Sequence, residues 1–141
     1  IMNTSSYYDN TSSFLEGPIL KYKKSSLLEE NKEEILKAII YQMKEEKFFK
    51  KSTASLTRLS KEIRQSSHHV SQVINEKLDQ TFFGLIAFYR IEEAKAILKS
   101  EIGKKLTIEE IAERVGYNSK SAFNTTFKKI TSQTPSSYRD S

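Results

Sequence analysis

LTIEEIAERVGYNSKSAFNTTFKK, residues 106–129, is the stretch that decides the fold. Thr107 followed three residues later by Glu110 reads as a capping box, the reciprocal side-chain arrangement that opens a helix. Ile108, Ile111, Ala112 and Val115 then recur at the 3–4 spacing of one buried face, and Gly116 supplies a left-handed residue that closes the helix. Ser119 caps a second helix, with Phe123, Phe127 and Ile130 facing inward. A short capped helix, a turn of three to four residues and a second capped helix together predict a helix-turn-helix over 107–130, in which the first helix braces the second.

The same pattern occurs some 52 residues earlier, over 55–78. Ser55 caps a helix marked by Leu56, Leu59 and Ile63, and Ser66 caps a second with Val70, Val73, Ile74 and Leu78 inside. Between the two units, Thr81 to about Ser100 carries Phe82, Leu85, Ile86, Tyr89, Ala94, Ile97 and Leu98 in helical period, ended by Gly103. Downstream, Thr134-Pro135 opens one last turn of helix, proline being favourable at the first position. Upstream, Ser26 with Glu29 reads as a capping box for a helix to about Lys47, buried through Leu28, Leu36, Ile39, Ile40 and Met43. Residues 1–18 are rich in Ser, Thr and Asn and are punctuated by Gly17-Pro18, as a loop is. No alternating strand pattern is present. The expected fold is all-α: two helix-turn-helix subdomains joined by a long linker helix, preceded by an extra N-terminal helix. The expected segments are a flexible, juxtamembrane-like linker (1–24), the N-terminal helix (25–50), the first unit (51–80), the linker helix (81–101) and the second unit (102–141).

Charge points to a partner. The net charge of +5 is uneven: residues 1–47 hold 7 Lys/Arg and 8 Asp/Glu, so residues 48–141 carry a net +6. A basic domain attracts nucleic acid or an anionic surface. Gln65–Asn75 and Tyr117–Arg139, which fall on the two predicted second helices, contain no acidic residue in a chain otherwise well supplied with them. Carboxylates there would repel phosphates, so their absence fits a groove-facing surface. In the first unit Ser66, Ser67, His68, Ser71, Gln72 and Asn75 are the candidate DNA-binding residues; in the second they are Ser119, Lys120, Ser121, Asn124, Thr125 and Lys128. Short, amide and cationic side chains of this kind read base edges or hold phosphates. Lys128 and Lys129 fit phosphate contact and a solvated, dipole-favouring helix end equally well. A linker helix of about 19 residues is roughly 28 Å long, against about 34 Å for one turn of DNA, so two recognition helices could reach successive major-groove turns.

Other chemistries find little footing. There is no cysteine, which removes disulfides and thiolate metal sites. His68 and His69 are neighbours on a helix and point about 100° apart, with no further histidine to complete a metal site. Phe82, Phe83, Phe88, Phe123 and Phe127 fall at helical spacing and read as core, not as stacking platforms. Glu109, Glu110 and Glu113 lie in the first turns of a helix, where they favour its dipole and face solvent. There is no glycine-rich phosphate loop and no Ser/His/Asp or Cys/His set, so neither an enzyme nor a cofactor is expected. The apolar run Phe82–Tyr89 is far short of the roughly 20 residues that span a bilayer, and no signal peptide is visible. Ile1 ahead of Met2 reads as the start of a piece of a longer protein.

With these motifs in place, residues 52–139 resemble the AraC/XylS-type double helix-turn-helix domain. The resemblance rests on SSHHVSQVINEKL (66–78), YRIEEAKAILKSE (89–101), LTIEEIAERVGYNSKSAFNTTFKK (106–129) and TPSSYR (134–139). It implies a bacterial transcription regulator with one recognition helix per unit, bound as a monomer or a homodimer to double-stranded promoter DNA, with RNA polymerase as a further partner. The chain departs from the family pattern at three places: Arg64 where glycine is frequent in the first turn, Thr125 where many members have arginine, and Ser132 in place of the glycine before the final Thr-Pro. Arg64 and Thr125 keep open the alternative of a helical interaction or dimerisation module without DNA binding. Residues 20–47 are similar to the segment that joins membrane-spanning helices to the DNA-binding domain in a subset of these regulators. That likeness implies juxtamembrane roles for Lys21, Lys23 and Lys24 and a cytoplasmic domain; an ordinary basic linker is the other reading.

Overall fold

The computed structural model describes residues 27–141, and among them there are helices and turns but no strand. The elements are α1 (Glu29–Lys44), a 3-10 turn (Phe48–Lys50), α2 (Leu56–Ile63), α3 (Ser67–Leu78), α4 (Phe82–Leu98), a second 3-10 turn (Gly103–Lys105), α5 (Ile108–Val115), α6 (Lys120–Thr131) and α7 (Pro135–Asp140). The expectations for Ser26, for Lys21, Lys23 and Lys24 and for the 1–18 loop lie outside the described residues.

The chain divides into two compact units. Among the described residues, the first comprises 27–45 and 55–85, and the second comprises 46–54 and 86–141. The division falls inside α4, and the 46–54 connection, which follows α1 and precedes α2, groups with the second unit.

In the first unit α1 packs on α2 and α3, and α2 packs on α3. Ile35, Ile39 and Met43 form the buried stripe of α1, at a strict four-residue spacing. Leu28 does not belong to it: this residue is the N-cap, makes no side-chain cap hydrogen bond and is exposed. The helix also stops earlier than Lys47, which adopts a left-handed conformation (φ 51°) just before the first 3-10 turn. The buried apolar residues of the other elements are Leu59, Val70, Val73, Ile74, Phe82 and Leu85, with Ser60 and Gln72 as buried polar ones. Phe83 is 80% exposed, against the expectation that it is core. A helix buries a stripe, and two consecutive residues 100° apart cannot both lie on its centre.

The second unit has a buried cluster of Ile91, Ala94, Leu98, Ile108, Ile111, Ala112, Val115, Phe123 and Phe127, with Ile97, Leu106, Tyr117 and Tyr138 packed against it. Four rings run through it in series: Tyr117 to Phe123 at 5.6 Å, Phe123 to Phe127 at 5.6 Å, and Phe127 to Tyr138 at 5.5 Å between centroids. Such tilted and edge-to-face pairs add to the burial of the rings themselves. Phe88 and Ile130, both expected inside, are exposed. Arg139, from the TPSSYR motif, donates to the carbonyls of Gly103 (2.9 Å) and Leu106 (2.7 Å), holding α7 against the turn that precedes α5.

Gly103 does not end α4, which stops at Leu98. It is buried at the start of the second 3-10 turn, where a Cβ would sit 1.7 Å from the Ile97 carbonyl oxygen. That contact is with backbone, which has little room to yield. Gly103→Ala is therefore expected to destabilise the second unit by roughly 2–4 kcal/mol, read from a urea midpoint. Arg64 takes the left-handed conformation at the end of α2 (φ 59°, ψ 44°), a region costly for a residue with a Cβ. Arg64→Gly should raise stability by about 1 kcal/mol in the same measurement, and a loss would show that the arginine side chain supplies a contact worth more than the strain.

Candidate nucleic-acid interface

The second helix of each pair is aimed by a turn fixed at both ends. In the first unit Ser55 caps α2, its hydroxyl accepting from the Arg58 amide at 3.1 Å. α2 closes through Arg64, whose amide donates to the Lys61 carbonyl, while the Gln65 amide donates to that of Ser60. Three residues, 64–66, then separate the helices. Ser66 opens α3 by accepting from the His69 amide at 3.1 Å.

In the second unit both halves of the capping box are formed. The Thr107 hydroxyl accepts from the Glu110 amide (3.0 Å), and the Glu110 carboxylate accepts from the Thr107 amide (2.8 Å). The backbone hydrogen bond from Thr107 is the main reason the Glu110 carboxyl is held below the ordinary carboxylate range. α5 closes at Gly116 (φ 115°), and Ser119 opens α6 by accepting from the Ala122 amide at 3.1 Å.

The two outward faces differ. On α6, with Phe123 and Phe127 fully buried, Ser119, Lys120, Ser121, Thr125 and Lys128 are exposed and Asn124 is half-buried. The helix carries no acidic residue, and Lys128 and Lys129 occupy its last turn. On α3, Ser66 is exposed, while Ser67, His68, Ser71 and Asn75 are half-buried. The Asn75 amide nitrogen donates to the Ser71 carbonyl at 3.2 Å, so one end of that amide is committed to its own helix.

Gln72 departs from expectation. It is 1% exposed, and its amide nitrogen donates to the Glu76 carboxylate one turn on, at 3.1 Å. The other oxygen of Glu76 accepts from Lys32 of α1 at 2.8 Å. A side chain buried and tied in this way does not present itself to a base edge. The periodicity of α3 places Gln72 opposite Val70 and Ile74, but it says nothing of a further helix packed on the pair.

Sequence reasoning also missed Arg90 and Tyr117. Arg90 donates from Nε to the Phe49 carbonyl (2.7 Å) and from Nη2 to the Lys51 carbonyl (2.9 Å), and its guanidinium lies 5.0 Å from the centre of the Tyr117 ring. Burial pulls the arginine below its ordinary pKa and pushes the Tyr117 hydroxyl up; Thr126 of α6 and Arg90 partly offset the tyrosine shift. Gly116 lies under this cluster, and a Cβ there would meet the Phe49 oxygen at 2.6 Å and Arg90 Nε at 2.7 Å. The 46–54 connection, α4 and the start of the α5–α6 turn are thereby locked together, and Tyr117 reaches α6 through Thr126. The available signal was Gly116-Tyr117 directly after a helix stripe, with an arginine inside the longest apolar helix.

A family profile described as a helix-turn-helix domain matches residues 59–141. An uncharacterized HTH-type transcriptional regulator of Staphylococcus aureus strain COL is 38% identical over 85 residues, which is 60% of this chain and 11% of that protein. The chain thus spans about a tenth of the length of the curated relatives it matches. Among solved structures, the C-terminal domain of AraT, a response regulator from Geobacillus stearothermophilus, is similar with a TM-score of 0.65 at 33% identity, over 75% of this chain and 83% of that one. The C-terminal domain of the two-component response regulator yesN from Fusobacterium nucleatum gives a TM-score of 0.63 at 31% identity, over 78% and 98%.

Removing the Arg90 head group leaves two carbonyls without their donor. Arg90→Met is expected to cost about 2 kcal/mol in urea unfolding. Arg90→Lys should recover little of it, because one ammonium does not reproduce the flat two-point contact over a ring. Full recovery by lysine would show that charge alone holds the junction.

Proposed function

This chain belongs to the AraC/XylS-type helix-turn-helix family, and from that membership we propose that it binds double-stranded promoter DNA sequence-specifically and regulates transcription. The observation that carries the proposal is α6: a capped helix with a fully buried aromatic back and an exposed, acid-free front of Lys120, Ser121, Thr125 and Lys128.

The mechanism follows from the chemistry of that front. Backbone amides at the starts of α3 and α6, next to the Ser66 and Ser119 caps, fix the register by holding phosphates. Lys120 suits guanine or phosphate, Asn124 offers the donor–acceptor pair that matches adenine, the Thr125 methyl suits that of thymine, and the Ser121 hydroxyl serves either kind of base-edge group. Lys128 adds a phosphate contact at the other end of the helix. In the first unit Ser67, His68, Ser71 and Asn75 form the corresponding set, without Gln72. The promoter puts this domain in the cytoplasm, with RNA polymerase and a second copy of the chain as its macromolecular partners. No helix among the described residues is long and apolar enough to cross a membrane. The membrane-linked reading of 20–47 is tested by fractionating the complete protein.

Selection from a random duplex library at two salt concentrations tests the proposal. The expected result is an enriched motif with two separated blocks, one per unit. Lys120→Ala should then cost about 1–3 kcal/mol on the selected site and relax the preference at one position. An equal loss on all sequences assigns Lys120 to phosphate. Failure of the wild-type chain to retain any duplex at low salt overturns the proposal in favour of an interaction module.

A further inference from the structure

The acid-free stretch on the first recognition helix ends at Glu76, which is the only carboxylate in α3. It lies one turn beyond Gln72, rotated by about 40° from it, but unlike that buried glutamine it is exposed. A charge in that place repels DNA phosphates, in the helix where the rest of the chain has kept such charges out. Its effect depends on what neutralises it.

Lys77 is next to Glu76 in sequence but is engaged elsewhere. Its ammonium pairs with Glu29 and with Glu33 (2.9 Å), both on α1. Among the described residues the cation on Glu76 is Lys32, also from α1, at 2.8 Å. The pair is partly shielded, with side-chain exposures of 16% for Lys32 and 33% for Glu76, so solvent and salt screen it less than a free surface pair. α1 therefore contributes two opposite charges to α3: carboxylates that hold Lys77 and an ammonium that cancels Glu76.

We propose that Lys32, outside the helix-turn-helix pair, is a positioning residue for DNA binding: it neutralises Glu76 and so lets the first unit approach phosphates without a repelling charge. The inference rests on the DNA-binding reading above. It makes the affinity of the first recognition helix depend on α1 being seated.

The test uses the wild-type chain, Lys32→Gln, Lys32→Arg, Glu76→Gln and the Lys32→Gln/Glu76→Gln double variant, each titrated against the selected duplex over a salt series by fluorescence anisotropy. Lys32→Gln is expected to weaken binding about two- to fivefold at low salt, with the loss shrinking as salt rises. Lys32→Arg should bind like wild type. Glu76→Gln should bind as well as wild type or better, and in the double variant it should restore affinity to within about twofold. A loss in Lys32→Gln that Glu76→Gln does not rescue overturns the inference, because Lys32 then touches phosphate itself or merely seats α1. A loss equally large at all salt concentrations overturns it as well. Wild-type chain that binds no duplex at low salt overturns this inference together with the reading it rests on, whereas binding without rescue overturns this one alone.

Discussion

α2 and α5 are each eight residues long, well under the length at which an isolated helix holds its shape in water. Their existence depends on what is done for the peptide groups at their ends and on one buried stripe each. A serine or threonine oxygen stands at the start of α2, α3, α5, α6 and α7, accepting an amide hydrogen bond in every case. Left-handed residues stop α2, α3, α5 and α6. Because starts and stops are both fixed, the turn between the members of each pair has no slack, and the direction of the second helix is inherited from the first. The buried rings of α6 can then face inward while its polar front faces out.

The caps and stripes of the second unit were legible because the signals are local. A capping box, a four-residue stripe and a glycine stop concern neighbours in the chain, and the structure forms all of them. The three departures from the family pattern are also intelligible in part: Arg64 and Ser132 occupy the left-handed region that glycine would fill more cheaply. What escaped was non-local. The buried stripe of α1 includes Ile35 and leaves out Leu28, which depends on which side of the helix meets α2 and α3. Phe83, Phe88 and Ile130 are apolar yet exposed, and composition cannot separate them from Phe82 or Phe127. Gly103 reads as a helix stop from its neighbours, and only the approach of the Ile97 carbonyl shows that it is a contact point. Gln72 escapes for the same reason: the periodicity of α3 leaves its face open, and its burial is non-local.

The second helices of the two pairs, α3 and α6, have the same design in their backbones and opposite designs in their charges. α6 keeps its cations exposed at both ends, while α3 sits in an array with α1 in which Glu29, Glu33 and Glu76 are matched by Lys32 and Lys77. Basicity counted over the whole chain hides this contrast. A similar use of charge at the junction of the second unit is more buried: Arg90 is spent on two backbone carbonyls and an aromatic face, and its positive charge serves packing and not attraction.

The 46–54 connection has a consequence for how the molecule is made and inherited. Along the chain, the units alternate: first, second, first, second. Phe48 and Phe49 belong with residues that the ribosome delivers only after α2 and α3 have emerged, so neither unit is completed by one uninterrupted stretch of synthesis. In most multidomain chains each domain finishes before the next begins. Here the second unit carries a fragment translated early and left waiting. A recombination breakpoint anywhere between residues 45 and 86 would split at least one unit, so the pair passes between genes as a single indivisible cassette.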